Sequence, residues 1–93
     1  MEQINIYSEL QRQILTALGV EQLSVQHCRM LSIAIFEKDR NYVSEATIKR
    51  FFGFLTQRGS FSPFVFNSLS QFLGYECWEN FKDKVAGQMH VRG

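Results

Sequence analysis

The stretch Asp39-Arg40-Asn41-Tyr42-Val43-Ser44-Glu45-Ala46-Thr47-Ile48-Lys49-Arg50-Phe51-Phe52 decides the fold. A short polar segment ends at Ser44, whose side chain suits the N-cap of a helix, and Glu45 follows where the positive end of a helix dipole favours a carboxylate. From there Ile48, Phe51, Phe52 and Leu55 recur at i, i+3, i+4 and i+7, the pattern of a helix packed on one face. The spacing predicts a helix over 44–55. Upstream, Ser24 offers another N-cap and Cys28, Leu31 and Ile35 form an apolar stripe, so a helix is expected over 25–38. Helix, short turn and second helix over about 25–55 have the order of a helix-turn-helix, the unit that can place a recognition helix in a DNA major groove, but any helical bundle also contains helix pairs joined by short turns, so what faces outward decides.

Working outward, Asn5 can cap a first helix over 6–18, with Tyr7, Leu10, Ile14 and Leu18 at helical spacing and Gly19 as its stop. Leu23 sits where it can staple onto Cys28. Beyond a loop over 56–61, Ser62-Pro63 pairs an N-cap serine with proline at the first helical position. The helix that follows turns Phe66, Leu69, Phe72 and Leu73 inward and stops at Gly74. A last helix over 76–86 carries Trp78, Phe81 and Val85 on one face, before a polar tail over 87–93. No alternating apolar pattern competes with these helices. The expected architecture is all-α: one compact four- to five-helix domain spanning 1–93 and containing a helix-turn-helix.

Composition bounds the function classes. With 45% hydrophobic residues and nine phenylalanines, 93 residues suffice for one packed core. No stretch reads as a signal peptide or membrane span, and two cysteines in apolar patterns suit a reducing compartment, so a cytoplasmic location without membrane contact is expected. His27, Cys28, Cys77 and His90 lack the spacing of a metal site, and no nucleophile has a positioned base, so no metal, cofactor or enzymatic activity is expected.

The formal charge is only +1, yet it is unevenly spread. Between positions 38 and 58, the bases Lys38, Arg40, Lys49, Arg50 and Arg58 face two acids, Asp39 and Glu45, an excess that suits a phosphate-facing edge. At 100° per residue, the outward side of the 44–55 helix carries Ala46, Lys49, Arg50 and Gly53, with Glu45 and Phe54 at its margins. Small residues there permit close approach to base edges, Arg50 can pair bidentately with guanine, and Lys49 and Ser44 suit phosphate oxygens.

The run Val43 to Phe51, the loop after it, Ser62-Pro63 and Leu69-Ser70-Gln71-Phe72-Leu73-Gly74-Tyr75 together resemble the recognition helix and following helix of the lambda-repressor-like (Cro-like) helix-turn-helix family, over about 27–75. The resemblance implies a four- or five-helix domain, with Ser44, Glu45, Ala46 and Arg50 where that family commonly touches DNA. The chain departs from the family's small Ala-Gly style turn, having Lys38-Asp39-Arg40-Asn41 instead. Ser44 to Gly53, with the later Leu-Gly-Tyr and Trp78-Glu79-Asn80-Phe81, also resembles small helical domains of Bacteroidetes proteins of unknown function. The resulting expectation is a double-stranded DNA-binding module, a transcriptional regulator contacting DNA through Arg40, Ser44, Glu45, Ala46, Lys49, Arg50 and Arg58. A homodimer would supply the second half-site. The alternative is a helical protein-interaction or oligomerisation module using an exposed patch of Phe54, Phe61 and Phe64.

Overall fold

A computed structural model describes residues 6–56 and 59–89. It contains α1 (Ile6–Leu18), α2 (Val25–Asp39), α3 (Glu45–Phe51), α4 (Pro63–Phe72) and α5 (Trp78–Met89), with no strand among the described residues. The fold is all-α, as the apolar spacing predicts. Asn5, Arg58, His90 and the last residues of the expected tail lie outside the described residues. No described helix is long and apolar enough to cross a membrane.

The core forms where the apolar faces converge: Leu10 and Ile14 from α1, Cys28, Leu31 and Ile35 from α2, Ile48 and Phe51 from α3, Phe66 and Leu69 from α4, Phe81 and Val85 from α5. Helices α2 and α4 are the centre, with α3 packed on α2, α5 and α1 on α4. An aromatic seam closes one side. Phe51 lies 5.4 Å from Phe61 and 6.3 Å from Phe66, and Trp78 stacks between Phe66 at 4.6 Å and Phe81 at 5.5 Å. Tyr7 is exposed at its edge, yet its ring sits 5.2 Å from Phe66.

Start signals in the sequence work as local chemistry. Ser24 caps α2 by a reciprocal box: its Oγ accepts from the His27 N–H, and His27 Nδ1 accepts from the Ser24 N–H at 3.0 Å. Ser44 caps α3, accepting from the Thr47 N–H at 3.1 Å. Ser62 has the extended cap conformation without a side-chain bond, and Pro63 sets the first turn of α4.

Two stops differ from expectation. Helix α3 ends at Phe51, four residues early, because Gly53 takes φ +89 and the Phe54 and Gly53 N–H groups turn back to the carbonyls of Lys49 and Arg50 at 2.7 and 3.2 Å. This pair of bonds is a left-handed Schellman stop. Leu55 therefore leaves the apolar stripe and is 45% exposed, while Phe52 is half-buried. At the other end, Gly87 does not stop α5, which begins two residues later than expected and runs through to Met89. Glycine costs a helix interior only about 1 kcal/mol, and Phe81 and Val85 anchor the helix ahead of it.

Truncating the core separates these roles. Phe51→Ala and Leu69→Ala should each destabilise by about 2–5 kcal/mol in urea unfolding. Nothing lies within 4 Å of a Cβ built on Gly53, so Gly53→Ala should cost only the left-handed backbone strain, about 1–2 kcal/mol.

Candidate nucleic-acid interface

Helix α3 has seven residues, too few to hold itself together, since isolated helices below about 12–15 residues are marginal in water. Its placement comes from neighbours at both ends. Ser32 Oγ in α2 donates to the Val43 carbonyl at 2.6 Å, fixing the chain just before the Ser44 cap. Gln11 Nε2 in α1 donates to the Phe51 carbonyl at 2.7 Å, satisfying the last turn. Between these ties Ile48 and Phe51 are buried. The helix is thus clamped at start, middle and end, with its remaining side turned outward.

The turn from α2 to α3 closes without glycine. Arg40 adopts φ +62, its N–H returning to the Phe36 carbonyl at 2.7 Å, and its guanidinium lies 5.4 Å above the Phe36 ring. Further along, Asn41 Nδ2 donates to Gln71 Oε1 at 2.7 Å, and Lys38 Nζ to the Gln71 carbonyl at 3.1 Å, so the turn is tied to the end of α4. Gln71 is a residue that apolar spacing overlooks. Its role rests on a polar bond 30 positions away, for which periodicity has no signal.

The expected site residues divide. Arg50 is exposed in the last turn of α3 and has no ion pair among the described residues. Ala46 lies one turn earlier, half-buried, and Gly53 is exposed beyond the helix end. Lys49 is drawn aside: its Nζ lies 3.0 Å from Glu45 Oε2, and its side chain is only 25% exposed. The Ser44 hydroxyl is engaged with the Thr47 N–H and lies 2.9 Å from Thr47 Oγ1. Arg40 lines a groove with Ser32, Ile33, Phe36, Glu37 and Tyr42, none of them from α3. Of the seven expected contacts, Arg50, Ala46, Glu45, Lys49 and Ser44 belong to α3 and its cap, Arg40 belongs to the groove, and Arg58 lies outside the described residues.

Two of the other chemistry-bearing side chains, His27 and Cys28, have structural settings, while Cys77 is a half-buried free thiol. His27 serves the α2 cap, and Cys28 is fully buried, where desolvation pushes its thiol above the ordinary range. A protonated, inaccessible thiol is a poor nucleophile and a poor metal ligand. In the expected aromatic patch, Phe54 and Phe64 are exposed while Phe61 turns inward onto Phe51 and Phe66.

Compared with protein-family models, with curated proteins and with solved structures, the chain finds no match in any of the three.

The two ties on α3 are testable apart from any ligand. Ser32→Ala and Gln11→Ala should each lower stability by about 1 kcal/mol. Amide hydrogen exchange should accelerate in α3 ahead of α5, whereas equal acceleration everywhere would mean that neither bond positions α3.

Proposed function

We propose that this domain binds double-stranded DNA, with α3 entering the major groove and α2 bracing it across the backbone. The observation that carries the reading is Arg50, an exposed cation with no ion pair among the described residues, on a short helix fixed at both ends. A guanidinium so presented matches guanine O6 and N7 bidentately, and the small Ala46 and Gly53 leave room for base edges to approach. Arg40 and Lys49 are candidates for the phosphates; in Lys49 the ammonium is already neutralised by Glu45, so its share is smaller than a free lysine's. A module of this kind acts as a transcriptional regulator when its two-fold repeat matches two half-sites.

A second reading has its own observation. Phe54, Leu55 and Phe64 are each 40% exposed or more, and apolar side chains so presented favour a protein partner. On that reading the domain is an interaction module and Arg50 is an ordinary surface charge.

Titration of a labelled mixed-sequence duplex at about 50 and 200 mM salt separates the two, because phosphate contacts make affinity fall steeply with salt. Arg50→Ala should cost about 1–3 kcal/mol of binding and blur preference at one base position. Its melting temperature should stay unchanged, since the side chain is exposed. Phe54→Ser should leave DNA affinity untouched. Absence of salt-dependent affinity for any duplex would remove the DNA reading in favour of the aromatic surface.

A further inference from the structure

Helix α2 is apolar on both sides. Its inward stripe, Cys28, Leu31 and Ile35, is fully buried, yet directly opposite stand Met30 at 58%, Ile33 at 48% and Phe36 at 42% exposure. Three large apolar side chains on one solvent face of a 15-residue helix are costly to leave in water. The charges around them are arranged in a particular way. Arg29 stands four residues before Ile33 and Glu37 four residues after it; both are exposed, and neither has an ion pair among the described residues.

We propose that this face of α2 binds a second copy of the same chain, the two α2 helices crossing antiparallel about a two-fold axis at Ile33. A two-fold through one helical residue sets position 33+n of one chain against position 33−n of the other. Ile33 then meets its own copy, Phe36 meets Met30 of the second chain, and Glu37 meets Arg29 of the second chain, all with their symmetry mates. Each apolar side chain gains an apolar partner, a methionine sulfur meets an aromatic ring, and both charges are neutralised twice. Charge complementarity selects this occupant, because the acid and the base stand equidistant from the centre with opposite sign. A shift of register by one turn would bring Glu37 or Arg29 against apolar side chains. The groove beside the helix, between Phe36 and Tyr42, receives Met30 of the second chain, whose unbranched side chain adapts to irregular space.

One helix face is at the small end of stable interfaces, so association is expected at roughly 10–100 µM. Sedimentation of the whole chain without DNA measures it, which keeps the result separate from any failure of the DNA reading. Arg29→Glu and Glu37→Arg, each alone, place like charges together twice and should weaken self-association at least about tenfold. The double variant should regain it. Mixing the two single variants should also produce a mixed dimer, since opposite charges then meet at both contacts. All these side chains are exposed, so at concentrations low enough for the wild type to be monomeric, thermal melting of each variant should match it. A chain that stays monomeric to about 1 mM, a dimer unchanged in Ile33→Glu, or single variants that fail to associate when mixed would overturn the proposal.

Discussion

Everything that α3 can do depends on its being held. Two turns of helix cannot supply their own stability, because nucleation costs more than so few hydrogen bonds return. Burial of Ile48 and Phe51 provides the attraction, and the Ser32 to Val43 and Gln11 to Phe51 bonds fix where the helix starts and stops. The carbonyl of Phe51 is one of the orphans at a helix end, and it is satisfied by a side chain from another helix. Stability and presentation therefore share the same contacts: loosening α1 or α2 loosens the surface that α3 offers.

Such a short helix exposes few residues, and here each has a distinct setting. Lys49 and Glu45 are an i,i+4 pair in the favourable order, acid before base, which steadies the helix and spends most of the lysine's charge locally. Arg50 escapes that pairing because it points away, on the far side from Ile48. Arg40 is committed to closing the turn. Its left-handed conformation is one that glycine normally occupies, and the Phe36 ring beneath the guanidinium offsets part of that cost. A strongly basic surface does not arise from these residues, so recognition on the DNA reading leans on geometry at Arg50 more than on gross charge.

Much of the fold was legible because helix starts are written in single residues. Ser24, Ser44 and Ser62 each mark a true start, and the buried stripes of α1 and α2 follow the 3.6-residue period. At the end of α3 the apolar spacing misleads for a physical reason: Leu55 continues it while Gly53 supplies the stop, and a satisfied Schellman turn outweighs one more apolar contact. Gly87 erred in the opposite sense. The outward apolar face of α2 was hidden by the stripe on its inner side, since a helix apolar on two sides has no single direction to read. At the candidate site, exposure of Arg50 was legible from helical geometry, but the capture of Lys49 and the clamping by Ser32, Gln11 and Gln71 depend on long-range polar bonds that spacing does not encode.

The proposed meeting of a fixed α3 with DNA is tested most directly by amide resonances of the isotope-labelled chain titrated with an unlabelled mixed-sequence duplex at low salt. Shifts concentrated from Ser44 to Arg50, weaker in α4 and α5, and reversed on raising the salt are the predicted result. Shifts confined to Phe54, Leu55 and Phe64, or no shifts at a duplex concentration well above that of the protein, would contradict it.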